Sequence, residues 1–155
     1  MKYILSMIIS VHLLFAAYIR DDAKETVYDD QTGLIWQDDA VGSTMTWQAA
    51  IGYCEGLDFA DAQDWRLPNI NELLSITDMN RNGYGIDAAF QHYVSTYWSS
   101  TSLAPDPEKA WYVLFDKGYG YWYSKNYPFY VRCVRGGQNS SSSALSPALI
   151  LYLLN

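Results

Sequence analysis

The sequence predicts an α+β domain, in which two helices lie between an N-terminal pair of strands and a C-terminal meander. Three observations support this fold class. Short apolar segments flank a polar turn near Asp30, helical periodicity follows over Thr46–Leu57 and Asn69–Ser75, and strand-type segments run from Tyr97 onward. The chain has 155 residues, which is enough for one domain with its own core.

The first elements are two short strands within Thr26–Trp36, separated by the turn residues Asp29, Asp30, Thr32 and Gly33. Thr46 is then placed as the N-cap of a first helix. The apolar residues that follow at i, i+3, i+4, i+7 and i+10 form one helical face, and they are Trp47, Ala50, Ile51, Cys54 and Leu57.

A second helix is predicted after Pro68, where Asn69 and Glu72 have the spacing of a capping box. Its apolar stripe consists of Ile70, Leu73 and Leu74. The segment Asp78–Val94 shows no sustained period, so it is predicted to be a long loop.

Four strands are predicted next, over Tyr97–Ser100, Ala110–Phe115, Tyr119–Tyr123 and Phe129–Arg135. Successive side chains of a strand alternate between its two faces. The last strand is therefore expected to place one set of side chains opposite the other, with Phe129, Val131 and Cys133 on one face and Tyr130, Arg132 and Val134 on the other.

The two ends of the chain differ from the middle in composition. Residues 1–17 have an early Lys and then an apolar run, which predicts a secretory signal peptide or, if uncleaved, a short membrane anchor. We interpret 18–26 as an N-terminal linker, 27–137 as the domain, and 138–155 as a Ser-rich linker with a short apolar tail. The protein is therefore expected to be exported to the periplasm, the outer surface or the medium.

Only two cysteines occur, Cys54 and Cys133. In an exported chain an even number of cysteines indicates a disulfide, and the alternative is two unrelated buried thiols. Cys54 lies on the buried face of the first helix, and the meander returns Cys133 toward that helix.

The ordered motifs of the chain together resemble the Lcl C-terminal domain, the C-terminal module of a bacterial collagen-like adhesin. The motifs are TGLIWQ (Thr32–Gln37), TW-x-x-A-x-x-x-C (Thr46–Cys54), DWRLPN (Asp64–Asn69), ELL (Glu72–Leu74), YWSST (Tyr97–Thr101), AWYV (Ala110–Val113) and YVRCVRG (Tyr130–Gly136). The resemblance covers about Val27 to Gly137. The collagen-like repeat is absent, so no trimer is inferred, and a monomer is the default expectation.

The resemblance implies a C-type-lectin-like fold, more distantly similar to formylglycine-generating enzymes, with two helices packed on a twisted antiparallel sheet. It also implies a Cys54–Cys133 disulfide. Within the motifs a set of residues is expected to be structural, and several of them to fix the entry into the second helix. This set is Trp36, Trp47, Trp65, Arg66, Pro68, Asn69, Glu72, Trp98 and Trp111.

Composition and charge restrict the function. The net charge of −7 disfavours nucleic-acid binding. Residues 20–104 contain 14 acidic and 4 basic side chains, which argues against the sulfated glycans that the adhesin binds. Residues 105–138 contain 3 acidic and 5 basic side chains, so only this segment offers a locally positive face. Its basic residues are Lys109, Lys117, Lys125, Arg132 and Arg135.

The mature chain contains few residues that could catalyse a reaction. His12 falls in the signal segment, which leaves His92 as the one histidine of the mature chain, and a lone loop His is more often solvated than catalytic.

The stretch DMNRNGYGID begins like a calcium loop, with Asp78, Asn80, Asn82 and Asp87 as candidate ligands. Its twelfth position is Ala89, which cannot close the site, so a polar turn is the preferred interpretation and no cofactor is expected.

A binding function has more support, because Gly118–Tyr130 is dense in aromatic residues. Alternation along a strand should expose part of this set, while Trp122 is expected to be core. The candidate ligand contacts are Tyr119, Tyr121, Tyr123, Lys125, Tyr127 and Arg132. The sequence thus predicts a non-catalytic module for an extracellular glycan or surface protein. The alternatives are a purely structural envelope module and a degenerate relative of the formylglycine-type enzymes.

Overall fold

A computed structural model describes residues 18–39, 43–78, 85–91 and 95–137. The predicted α+β class is confirmed there by strands and two short helices. In chain order these are β1 (Tyr18–Asp21), β2 (Thr26–Asp29), β3 (Leu34–Gln37), β4 (Thr44–Met45), α1 (Trp47–Glu55), α2 (Ile70–Ser75), β5 (Thr96–Leu103), β6 (Asp106–Leu114), β7 (Tyr119–Ser124), β8 (Phe129–Tyr130) and β9 (Val134–Gly136). The predicted signal segment 1–17 and the tail 138–155 lie outside the described residues. No helix in the described ranges is long and apolar enough to cross a membrane.

The strands form two sheets rather than the single sheet that the resemblance implied. The first sheet has the order β1-β2-β3-β9. Its β2–β3 hairpin closes at the predicted turn, where the Asp29 carboxylate accepts hydrogen bonds from the Gln31 backbone N–H at 2.9 Å and the Thr32 hydroxyl at 2.5 Å. Gly33 has a φ of 71°, which a residue without Cβ adopts at little cost.

Strand β1 occupies part of the segment that the sequence analysis assigned to a linker. It pairs antiparallel with β2, Tyr18 opposite Asp29. The connecting turn is held by Asp21, whose carboxylate accepts from the backbone N–H groups of Ala23 and Lys24 at 3.0 and 3.1 Å.

The second sheet has the order β4-β8-β5-β6-β7. Strands β5, β6 and β7 form the predicted antiparallel meander. The predicted last strand over Phe129–Arg135 is wrong as a single element. Its first part, β8, lies between β4 and β5 in the second sheet and pairs with both. Its last part, β9, pairs with β3 in the first sheet.

The break falls at Arg132 and Cys133, both of which hydrogen-bond to Gln37 of β3. The Cys133 backbone N–H donates to Gln37 Oε1 at 3.1 Å, and its carbonyl accepts from the Gln37 N–H at 2.9 Å. Arg132 Nη1 donates to the Gln37 carbonyl at 2.8 Å. These long-range bonds replace the ladder bonds that a continuous strand would make, so the chain crosses from one sheet to the other.

Both helices begin where the sequence predicts. Thr46 occupies the N-cap position of α1, although its side chain makes no capping hydrogen bond. At α2 the capping box is complete: the Asn69 side chain accepts from the Glu72 N–H at 2.9 Å, and the Glu72 carboxylate accepts from the Asn69 N–H at 2.8 Å. The Cys54–Cys133 disulfide is also confirmed, and it ties the buried face of α1 to the crossing segment.

The core lies on both faces of the second sheet. Neighbouring residues of β5 face opposite ways: Tyr97 packs in a cluster with Trp36, Leu73 and Phe115, whereas Trp98 packs in a cluster that contains the disulfide and Trp65. α2 packs beside the first cluster through Leu73, and α1 beside the second through Ala50 and Cys54. The two clusters leave the β7 edge of the sheet as the part with least cover.

Candidate functional site

Four tyrosines at the β7 edge of the second sheet form what we call the tyrosine surface. They are Tyr119, Tyr121, Tyr123 and Tyr127, with 48%, 51%, 45% and 51% of their surface exposed. The first three alternate along β7, and pair with the strand residues Leu114, Tyr112 and Ala110. Side chains opposite each other in an antiparallel pair share a face. The tyrosines therefore lie on the sheet face that includes Tyr112 and Trp98.

The opposite face of β7 is closed. A Cβ on Gly120 would lie 3.1 Å from Ile70 Cδ1, so α2 packs against the strand there. Trp122, predicted to be core, is half-buried; Lys109 Nζ lies 4.7 Å from its ring centroid. This asymmetry explains why Tyr119, Tyr121 and Tyr123 are exposed while the intervening Gly120 and Trp122 are half-buried.

Phe129 joins the tyrosine surface to the core. Its ring centroid lies 4.6 Å from that of the buried Trp98 and 4.8 Å from that of Tyr112. On the outer side it lies 5.3 Å from the Tyr127 ring and 6.1 Å from the Tyr123 ring. Contacts between aromatic rings at these distances are favourable and restrict rotamers. The rings of Tyr123 and Tyr127 are thus packed against Phe129, and the ring of Tyr121 lies 6.4 Å from that of Tyr112.

The hydroxyl of Tyr112, on the same face of the sheet, has a perturbed pKa. Burial first, and then the neighbouring tyrosines, raise the pKa of Tyr112 above its ordinary value. A protonated phenol donates one hydrogen bond and accepts others. The surface therefore offers apolar ring faces together with hydroxyls of both hydrogen-bonding senses.

Lys125 lies beside the tyrosine surface but is already engaged. Its Nζ lies 3.9 Å from the Trp47 ring centroid and donates to Ser102 Oγ at 2.8 Å. Lys109, on the next strand, is paired with Asp106 at 2.9 Å. Of the predicted positive face, Lys109, Arg132 and Arg135 are thus paired with carboxylates, whereas Lys125 and the exposed Lys117 keep their charge.

Arg132 does not belong to the tyrosine surface, which corrects its prediction as a ligand contact. Only 5% of it is exposed. Its guanidinium forms an ion pair with the buried Asp38 and donates a hydrogen bond to the Gln91 carbonyl at 2.7 Å. Asp38 also pairs with Arg20. Burial lowers the pKa of Arg132. Alternation correctly placed Arg132 on the face of Tyr130 and Val134, but that face packs into the core, where the guanidinium lies over the rings of Phe90 and Tyr97.

The calcium candidates lie only partly in the described ranges, since Asn80 and Asn82 fall outside them. The Asp78 N–H donates to the Gly85 carbonyl at 3.0 Å, and the Asp87 carboxylate accepts from the Ala89 N–H at 2.9 Å. Asp87 thus already closes a local turn. Over residues 18–39, 43–78, 85–91 and 95–137 no three His, Cys, Asp or Glu side chains are grouped to hold a metal.

The predicted structural motif does fix the entry into α2. Arg66 makes two 2.7 Å hydrogen bonds to the Glu72 carboxylate, whose Oε2 also accepts from the Asn69 N–H. The Trp65 indole N–H donates to the Phe59 and Ala62 carbonyls at 3.0 and 3.2 Å. Of the remaining motif residues, Trp36, Pro68 and Trp98 are buried, and Trp47 and Trp111 are half-buried.

Two concavities lie away from the tyrosine surface. A cleft of about 410 Å³ lies between α1, α2 and β5, lined by Ile51, Glu55, Arg66, Leu67, Asn69, Glu72 and Ser100. A groove of about 320 Å³ lies on the first sheet, lined by Ile19, Asp21, Lys24, Thr26, Tyr28, Ile35, Ala60, Trp65 and Arg135. Sequence reasoning missed both, because each combines segments far apart in the chain.

Sequence reasoning also missed the support of the tyrosine surface. Tyr112 and Phe129 were assigned only to strands, and the stacking of Lys125 on Trp47 joins residues 78 positions apart. The available signal was the density of aromatic residues in Ala110–Val113 and Gly118–Tyr130, which indicates that neighbouring strands bring rings together.

Comparison with known proteins identifies one family. A model described as the Lcl C-terminal domain matches residues 25–135, which is more than two thirds of the chain. This agrees with the motifs and with the paired cysteines. A search of curated proteins found no match.

Proposed function

The chain belongs to the Lcl C-terminal domain family, and on that premise we propose that it is an exported, non-catalytic module that binds glycan through the tyrosine surface. The observation that carries the proposal is the grouping of four half-exposed tyrosines on one supported patch. Large aromatic side chains exposed together are more typical of contact surfaces than of ordinary solvent-facing residues. Sugar rings stack their apolar faces on such rings and bond their hydroxyls to phenol groups.

The remaining parts of the proposal have separate support. Export is supported by the composition of residues 1–17 and by the disulfide, which persists in oxidising compartments. A non-catalytic role is supported by the same disulfide, because it leaves neither cysteine as a nucleophile. A C-type-lectin-like fold is supported by two helices packed beside antiparallel strands, with β1 and β9 at the two edges of the first sheet.

The charge around the tyrosine surface favours neutral glycans. Of the five basic residues of this segment, Lys109, Arg132 and Arg135 pair with carboxylates and Lys125 is held by Trp47 and Ser102, so within the described residues Lys117 remains as the exposed, unpaired cation. A sulfated chain would need cations that are free to pair with it. We therefore expect uncharged glycans to bind at least as well as sulfated ones.

A glycan array tests the proposal, with the protein probed in the presence and absence of calcium. The double variant Tyr121→Ala/Tyr123→Ala should lose about tenfold or more in affinity, equivalent to about 1.4 kcal/mol. Tyr28→Ala is the matched control, because Tyr28 is 41% exposed on the other sheet. An array without any hit, or a double variant that binds like the control, would overturn the proposal. If the protein binds cell-surface proteins but no glycan, the tyrosine surface would be assigned to a protein partner.

A further inference from the structure

The cleft between α1, α2 and β5 has the features of a second, separate binding site. Its volume of about 410 Å³ falls within the usual range of small-ligand sites, roughly 300–1,000 Å³. Ile51 and Glu55 are one turn apart on α1 and form one wall, Asn69 and Glu72 at the start of α2 form the other, and Ser100 comes from β5. It shares no lining residue with the tyrosine surface.

One wall of the cleft is rigid. Arg66 and Glu72 form a two-point ion pair at 2.7 Å, and Glu72 and Asn69 exchange the two hydrogen bonds of the capping box. These bonds fix three polar side chains before any ligand arrives. A preorganised site avoids the entropy cost of ordering its side chains on binding.

Hydrogen-bonding groups remain free in the cleft. Within the described part of the chain, the carboxylate of Glu55 and the hydroxyl of Ser100 make no hydrogen bond or ion pair, and the side-chain NH₂ of Asn69 makes none either. Arg66 uses both Nη atoms on Glu72, which leaves its Nε–H to donate. Donors and acceptors are thus both present, and Ile51 and Leu67 add apolar contact.

The formal charge of the lining residues is −1, from two carboxylates and one guanidinium. An anionic ligand would therefore meet net repulsion, and Glu72 already neutralises Arg66. A neutral ligand with several hydroxyls and one apolar face matches the free donors, the free acceptors and the two aliphatic side chains.

We propose that this cleft binds a single neutral sugar ring, independently of the tyrosine surface. Glu55 is the residue that decides affinity, because its carboxylate accepts hydrogen bonds from sugar hydroxyls and has no competing partner in the described residues. The Arg66–Glu72 pair acts as a positioning unit for the wall.

The test titrates the purified protein with the methyl glycosides of glucose, galactose, mannose and N-acetylglucosamine, followed by two-dimensional ¹H–¹⁵N NMR. At least one neutral glycoside should shift the amide signals of Ile51, Glu55 and Ser100 with a Kd below about 50 mM, a weak but measurable affinity. Methyl glucuronoside, which is anionic, should bind at least threefold more weakly than methyl glucoside, and glucosamine, which is cationic, should bind alongside the neutral glycosides and not in their place.

Glu55→Gln should weaken the neutral glycoside about fivefold, since one charge-assisted hydrogen bond becomes a neutral one. Glu108→Gln is the matched control, because Glu108 is also exposed and lies on β6, outside the cleft. Tyr121→Ala/Tyr123→Ala should leave the cleft shifts unchanged, so failure at one site is distinguishable from failure at the other. Absence of shifts at the cleft, equal affinity of Glu55→Gln and wild type, or binding of glucosamine alone would overturn the proposal.

Discussion

At the residue scale, the molecule is organised around a buried carboxylate. Asp38 is 1% exposed and pairs with two arginines, Arg20 from β1 and Arg132 from the segment between the sheets. Its Oδ2 also accepts from the Gln91 N–H at 2.8 Å. Charges that are removed from water are tolerated only when they are paired and fully bonded.

Asp38→Asn is expected to destabilise the fold by about 3–5 kcal/mol, because it removes the buried carboxylate that pairs directly with the guanidinium of Arg132. Urea denaturation at neutral pH measures this free energy. The control is Asp64→Asn, which breaks the Asp64–Arg135 pair (2.6 Å), where Asp64 is 61% exposed; exposed pairs contribute about 0–1 kcal/mol. Equal losses in the two variants would contradict the central role of Asp38.

Residue-level prediction succeeded where a side chain's environment is local. Exposure of Tyr119, Tyr121 and Tyr123 follows from alternation along one strand. It failed for Arg132, whose position depends on Asp38, 94 residues away in sequence. Nothing near Arg132 in the sequence signals that partner, and its positive charge alone made it a candidate for the surface.

At the element scale, α2 shows how a short helix is fixed by its ends. It has only six residues, which is too few to be stable alone. Its capping box and the Arg66–Glu72 pair satisfy the first turn, and Leu73 anchors it in the core. The helix therefore depends on Glu72 more than on helix propensity.

Glu72→Gln is expected to cost about 1–2 kcal/mol at pH 7. Burial favours the neutral carboxyl, but hydrogen bonds from Arg66 and the Asn69 N–H outweigh it, so the pKa of Glu72 is lowered from 4.5. A carboxyl whose pKa is lower in the folded state than in the unfolded state stabilises the fold at pH values above its unfolded-state pKa. This stabilisation is lost as the pH falls through the folded-state pKa. The difference in unfolding free energy between wild type and variant should therefore shrink from pH 7 to about pH 3. A difference that stays constant with pH would exclude the ion pair as its source.

Two glycines give a matched test of packing, one inside α1 and one in the loop between α2 and β5. Gly52 lies inside α1 with nothing within 4 Å of an added Cβ, so Gly52→Ala should stabilise by about 0.5–1 kcal/mol. At Gly85 an added Cβ would lie 2.0 Å from the Phe115 carbonyl oxygen, so Gly85→Ala should destabilise by more than about 2 kcal/mol. Thermal denaturation by circular dichroism measures both. Shifts of the same sign would contradict the packing described at one of these positions.

Prediction of elements from sequence worked for both helices, because caps and periodicity are local. It did not find the division into two sheets. β8 and β9 have two and three residues, and their separation is set by the contacts of Arg132 and Cys133 with β3. The cleft was missed for the same reason, because it joins α1, α2 and β5 across about fifty residues.

At the scale of the whole molecule, the disulfide closes the fold. Cys54 and Cys133 are 79 positions apart, so the bridge encloses most of the described chain. It connects α1 to the segment that crosses between the sheets, where both sulfurs are buried beside Trp98 and Trp65. Loss of this link would affect both sheets at once.

Replacing both cysteines, as Cys54→Ala/Cys133→Ala, is expected to lower the unfolding free energy by about 4.5 kcal/mol, the loop-closure value for a loop of this length. A domain of this size is stable by about 5–15 kcal/mol, so the variant should be close to its unfolding threshold. Urea denaturation under non-reducing conditions gives the difference. Dithiothreitol supplies the control, since it should lower the melting temperature of the wild type and leave that of the double variant unchanged. A double variant within about 1 kcal/mol of wild type would mean that the core on both faces of the second sheet holds the crossing segment without the bridge.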